Sequence, residues 1–218
     1  MRNFSNKYIF IYSTILVAVV AVVLSVVAVT LSPRQQRNKE VEQKQMLLRT
    51  IGVAATPDQA EALYNDYISE SVSPEGNPYY QVHDLSDNAA KIIIPFRGTG
   101  LWGPIWGYIA FDSEASIVGA VFDHQGETPG LGGEISTDKF AQRFIGKSFK
   151  EVAVALKKHA DSHSPYEVDA ITGGTMTSNG VTAMLAEGRK QYASLLNASN
   201  NTAQADSSLQ DTLPSTRL

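Results

Sequence analysis

A stretch without charge opens the chain. Residues 8–32 are mainly Val, Ala, Ile and Leu and hold no Asp, Glu, Lys or Arg. At about 1.5 Å per helical residue this run is longer than a hydrocarbon core of roughly 30 Å, so it can cross a bilayer with some tilt. No face of it is polar, which argues against a core helix, and Ala28-Val29-Thr30 is a poor signal-cleavage site. It reads as a retained transmembrane anchor. Charges then return, and residues 40–51 predict a helix. Thr56-Pro57-Asp58-Gln59 combines an N-cap, a proline at the first helical position and a box partner, and Ala60, Leu63, Tyr64, Tyr67 and Ile68 line one apolar face of the helix it opens. The sequence 73–78, SPEGNP, ends that helix. Shorter periods follow and predict strands at 79–84, 91–96, 107–111 and 116–122, parted by glycine- or Asp/Ser-containing turns. Helical spacing returns at 137–144 and again from Ser148, with Phe149, Val152 and Leu156 inward. A last strand ends at Ile171, and beyond Ser178 the residues Val181, Met184, Leu185, Gly188, Tyr192 and Leu195 recur at helical intervals. After Leu196 the chain turns to Asn, Ser, Thr, Gln and Asp, which cannot offset the entropy of ordering, so a disordered tail is expected.

Helices flanking a mostly antiparallel, β-rich middle define an α+β domain with one added anchor helix. The expected division is a stub at 1–7, the anchor at 8–32, a juxtamembrane helix and connection at 33–55, one domain at 56–196 and a tail at 197–218. A net charge of -4 offers no basic face for nucleic acid. With no cysteine in the chain, disulfides, iron–sulfur ligation and thiolate zinc sites are excluded.

Three stretches carry candidate chemistry. The strongest is DAITGGTMTSNGV, residues 169–181, where a strand gives way to a helix through hydroxyls and glycines. With Ser178 or Thr177 as N-cap, the free amides of the first helical turn and the helix dipole favour an anion such as phosphate. No lysine follows the glycines, which excludes a nucleotide-hydrolase phosphate loop, and the G-x-S-x-G spacing of a hydrolase elbow is missing. Taken alone, the turn reads rather as a hydroxyl-rich helix cap. The second stretch, 98–107, gathers both tryptophans, Trp102 and Trp106, into a glycine-rich loop, where they can face a ligand or cover the core; composition favours the core. The third, 124–134, HQGETPGLGGE, reads either as a ligand loop using backbone amides, Glu127 and Thr128, or as a surface connection. Its His and Glu donors lack helical spacing, so no metal is assigned.

Asp169, two residues, Thr172-Gly173-Gly174-Thr175 and then Thr177 resemble the flavinylation motif D-x-x-[ST]-G-A-T-x-[ST], in which the threonine at the position of Thr175 carries FMN through a phosphoester. Gly174 stands where that family usually has Ala, and Thr172 replaces the commoner Ser. The segment LSPRQQRNK at 31–39, the G-x-G-L-W of 98–102 and the G-E-T-P-G-L-G-G of 126–133 are likewise similar to the C-type subunits of the sodium-pumping NADH:quinone oxidoreductases. These motifs, in family order, extend the resemblance over residues 1–195.

The resemblance implies an electron-carrying subunit of a membrane respiratory complex, not catalytic alone, with FMN covalently held on Thr175. Thr172, Gly173, Gly174, Thr177 and the helix amides would hold the phosphate. Glu127, Thr128, Gly130, Leu131 and Trp102 would meet the ring, and Asp169 would serve recognition by the flavin transferase. Implied partners are the other membrane subunits of the complex, that transferase and the lipid bilayer, with no nucleic acid. The implied location is the bacterial inner membrane, single-pass, with the domain on the periplasmic side; charges flanking the anchor give no clean vote on orientation. The homologous G subunit of the Rnf-type electron-transport complex is the alternative within the family. A membrane-anchored binding or assembly module without a redox cofactor is the alternative of another class.

Overall fold

The computed structural model describes residues 6–83 and 89–197, so the start of the expected stub, Asp84 at the end of the first predicted strand and nearly all of the expected tail lie outside the described residues. The chain divides into two compact units, residues 1–43 and 44–218. Helix α1 is Asn6–Thr50. Pro33 lies inside it and forgoes one amide donor without ending it, so the two helices expected at 8–32 and 40–51 are one. In the first unit the side chains of residues 6–40 are exposed. Thr14, Ser25 and Thr30 donate their hydroxyls to the carbonyls of Phe10, Ala21 and Val26, one turn back. Those polar groups are thus satisfied inside the segment, as a hydrocarbon surrounding demands. Among the described residues α1 is the one helix long and apolar enough to cross a membrane.

The second unit is built on a five-stranded antiparallel sheet whose strands lie in chain order: β1 (Ile68–Val72), β2 (Pro78–Val82), β3 (Ile92–Thr99), β4 (Pro104–Phe111) and β5 (Ile117–His124). Alternate strand residues feed two separate cores. Ile93, Tyr108 and Ala110 join Leu47 and Leu48 of α1 and Tyr64 of helix α2 (Ala60–Tyr67) on one face. Ile94, Phe96, Ile105, Ile109 and Phe111 face the other way, onto Phe140 of the short helix α3 (Asp138–Ala141), Phe144, Phe149, and Val181 and Leu185 of helix α4 (Thr175–Gln191). A period of two makes both faces apolar, and each is covered by helices. Two further strands, β6 (Ala155–Lys157) and β7 (Glu167–Asp169), pair in parallel beside them.

Three more of the expected helices differ from expectation. The helix opened by Thr56 is shorter: Thr56–Gln59 form turns, the Thr56 hydroxyl meets the Gln59 side chain at 3.0 Å, and Ile68 already belongs to β1, where its register opposite Val82 outweighs its helical spacing. No helix forms from Ser148. Ser148 bridges to Ser116, Arg189 takes the carbonyls of Phe149 and Lys150, Leu156 enters β6 and Val152 is left exposed, so tertiary hydrogen bonds override a local pattern. Finally α4 begins at Thr175, with Gly174 as its N-cap, ahead of the expected caps Thr177 and Ser178.

Helix α4 lies against β3 by way of one stripe at i, i+4 and i+8. A Cβ at Gly180 would collide with the Thr99 carbonyl, Met184 packs on Gly98, where a Cβ would lie 2.7 Å from its own, and a Cβ at Gly188 would collide with the Phe96 ring. This close approach sets the start of α4 beside the β3–β4 turn. Replacing Gly188 by Ala raises helix propensity by about 1 kcal/mol but overpacks the core at a cost of about 1–3 kcal/mol. Gly188→Ala is therefore expected to lower the urea midpoint of the detergent-solubilised chain, followed by circular dichroism. A raised midpoint would show that the stripe is not tightly packed.

Candidate functional site

The turn into α4 is shaped by its glycines. Gly173 has φ +78, a left-handed conformation that costs other L-residues about 1–2 kcal/mol, and the Leu131 side chain covers it so closely that a Cβ there would lie 2.7 Å from Leu131 Cδ2. Gly174 sits against Ile171, where a Cβ would come within 3.0 Å of Cγ2. The β-branched Ile171 thus fills the space a methyl at Gly174 would want. Gly174 has no side chain to cap α4, so the first-turn amides receive no side-chain acceptor at the N-cap.

The four hydroxyls of the turn separate cleanly. Thr177 and Ser178 are each only 2 % exposed. The Thr177 hydroxyl donates to Glu127 Oε2 at 2.6 Å, and the Ser178 hydroxyl accepts from the Ile171 amide at 3.1 Å. Thr172 and Thr175 are exposed, and no hydrogen bond to the Thr175 hydroxyl is found among the described residues. Of these four hydroxyls, only those of Thr172 and Thr175 are open to a group from outside.

Glu127 is a buried carboxylate, 5 % exposed, with both oxygens engaged. Oε1 accepts from the Trp102 amide at 2.9 Å and Oε2 from Thr177, while the Glu127 amide donates to His124 Nδ1 at 3.2 Å. Burial alone pushes the carboxyl upward. The Thr177 hydroxyl, the Trp102 and Leu101 amides and the nearby His124 together outweigh that push and leave its pKa below the usual carboxylate value. A Cβ at Gly100 would collide with Oε1, and one at Gly132 with Oε2 and with the Thr177 hydroxyl. The glycines of both loops are therefore room for this carboxylate.

The segments that meet through Glu127 and over Gly173 carry exposed apolar side chains: Trp102 at 69 %, Met176 at 61 %, Leu101 at 51 % and Leu131 at 43 %. Trp102 does not cover the core as composition favours, because the β3–β4 turn is tight, with Gly100 donating to Gly103 at 2.8 Å, and throws the indole outward; Trp106 stands on β4 instead and packs against the α1-side core. Thr128 is exposed, and its carbonyl accepts from the Leu131 and Gly133 amides at 3.1 and 2.9 Å, winding the loop around Gly130, whose φ is +74. Trp102, Glu127, Leu131, Gly173, Gly174, Thr175 and Thr177 thus converge, whereas Thr128 and Gly130 shape the loop beside them. Asp169 is exposed at the end of β7 and accepts from the Ala160 amide at 3.1 Å. Sequence reading misses Arg143, which donates Nη1 to the carbonyl of Asp169 at 2.7 Å and stacks over Phe140 at 5.4 Å, steadying the strand end that feeds the turn. Nothing in its spacing signals that role.

The fold is that of an FMN-binding domain. Residues 100–190 match the family model of the FMN-binding domain. The chain is 34 % identical over 149 residues to the C-type subunit of the Na(+)-translocating NADH-quinone reductase of Vibrio alginolyticus, covering 61 % of this chain and 58 % of that one. The chain spans about half the length of the curated relatives it matches. It also superposes on the crystal structure of the corresponding reductase subunit from Parabacteroides distasonis, with a TM-score of 0.65 and 35 % identity over 76 % of this chain and 96 % of that one. The Shewanella oneidensis NqrC structure, 20 % identical with a TM-score of 0.60 over 74 % of this chain and 99 % of its own, shares the fold. The chain belongs to the NqrC family, the C-type subunits of the Na(+)-translocating NADH-quinone reductases.

Proposed function

We propose that this chain is the FMN-carrying electron-transfer subunit of a sodium-translocating NADH:quinone reductase, with the flavin covalently joined through its phosphate to Thr175. The observation that carries the reading is the exposed Thr175 hydroxyl at the first residue of α4, while Thr177 and Ser178 are buried in internal hydrogen bonds. The residues suit the group. A phosphodiester retaining one negative charge at this position meets uncapped first-turn amides, an interaction of about 0.3–1 kcal/mol from the dipole alone. Gly173 and Gly174 let the turn bend closely under Leu131 and against Ile171, Thr172 lies exposed on the same turn, and Trp102, Leu101, Leu131 and Met176 offer an apolar collar for a ring. Bound FMN supplies one- and two-electron redox chemistry. The protein side holds the phosphate at the helix start, limits where the ring can lie and leaves it open to a partner. A covalent link keeps the carrier loaded whatever the surrounding flavin concentration.

The segment offers no general base beside Thr175, and an unactivated hydroxyl is a weak nucleophile, so a separate flavin transferase performs the attachment, with Asp169 as its recognition residue. Partners are the membrane subunits of the complex and the bilayer crossed by residues 8–32. The domain lies on the periplasmic side of the bacterial inner membrane. This orientation rests on family likeness, since Arg2 and Lys7 before the anchor balance Arg34, Arg37 and Lys39 after it.

Co-expression with a flavin transferase should give a chain that fluoresces as flavin in a denaturing gel and gains the mass of one FMN less one water. Thr175→Ala should abolish both, and Thr172→Ala should at most lower the yield; full loading of Thr175→Ala would overturn the assignment. For orientation, a reporter active only in the cytoplasm and fused after Leu196 should be silent, and activity there would put the domain on the other side.

A further inference from the structure

The Glu127 carboxylate joins three segments that each carry part of the proposed flavin site. Its Oε1 holds the amide of Trp102 in the β3–β4 turn, its Oε2 holds the hydroxyl of Thr177, two residues past Thr175, and its own backbone lies in the glycine loop that ends at Leu131 over Gly173. At 5 % exposure and with both oxygens taken, it has little left to offer a ligand. Gly100 and Gly132 crowd the carboxylate from opposite sides, so the clamp tolerates no side chain at either position.

We propose that Glu127 is a positioning residue: through Thr177 and the Trp102 amide it fixes the indole-bearing turn and the start of α4 relative to one another, so that a flavin on Thr175 meets the Trp102 side in one orientation without touching Glu127. The proposal rests on the reading of Thr175 as the flavin carrier, and it assigns Glu127 a different task from the direct ring contact expected of it. Its partner is specific. Thr177 enters through its hydroxyl, so Ser at that position retains the clamp and Val, of the same shape, breaks it.

The test uses the full chain in detergent, made with and without the flavin transferase. Without flavin, hydrogen exchange at the Trp102 amide should quicken at least about tenfold in Glu127→Leu, since a hydrogen bond to a charged acceptor is lost. With flavin, the visible circular dichroism of the attached ring should change in Glu127→Leu and in Thr177→Val, should stay as in wild type in Thr177→Ser, and should change no further in the Glu127→Leu/Thr177→Val double variant. Should Glu127→Leu fail to fold, the Thr177 pair decides alone: identical ring spectra in Val and Ser overturn the proposal. A ring spectrum altered by Glu127→Leu but indifferent to Thr177→Val also overturns it, in favour of direct contact. A wild-type chain that carries no flavin overturns the parent reading and this one with it, an outcome that loading and mass reveal before any variant is compared.

Discussion

A buried anion must find its own solvation, and in this domain that demand organises the site. Glu127 leaves water for a pocket formed by the β3–β4 turn, the glycine loop and the first turn of α4, and it is kept ionised there by a hydroxyl and backbone amides. Removing one partner from such a group costs the desolvation of whatever is left unpaired, which ties the three segments to one another. The glycines follow from it: Gly100 and Gly132 are the space the carboxylate occupies. Thr177 follows as well, because its hydroxyl, inside the helix start, is a small donor that reaches the carboxylate at 2.6 Å.

That commitment has a chemical consequence for the rest of the turn. With Thr177 and Ser178 turned inward, Thr172 and Thr175 remain facing solvent, and of these only Thr175 stands at the mouth of α4. The scaffold reaches this geometry by close packing at a distance, through Gly180, Met184 and Gly188 along β3, which leaves the helix little freedom to slide or roll. Sheet, helix stripe and carboxylate therefore act in series to present one hydroxyl.

Much of this is legible in the chain itself. The period-two runs that become β2 to β5 can be read directly, because strand alternation is a local property. What escapes is what depends on partners distant in sequence. Ile68 looks helical until it is paired with Val82; the stretch after Ser148 looks helical until Arg189 claims its carbonyls. Thr177 looks like an N-cap until the helix is seen to start two residues earlier, with its hydroxyl donating to Glu127, fifty residues back, instead of accepting from an amide. Trp102 looks like core because tryptophan usually is, and only the tightness of the Gly100–Gly103 turn turns it outward. Glu127 itself is recognisable as a member of the site from its loop, but its role as the joint between segments needs the fold.

The account stands on the claim that burial, not composition, selects the flavin-bearing hydroxyl. Peptide mapping of the wild-type chain after co-expression with a flavin transferase addresses it most directly, by fragmenting the peptide that spans residues 158–189 and locating the added mass. The flavin phosphate is predicted on Thr175. Its recovery on Thr177 or Ser178 would contradict the account, because it would require the Glu127 contact or the Ile171 contact to be broken in the loaded protein.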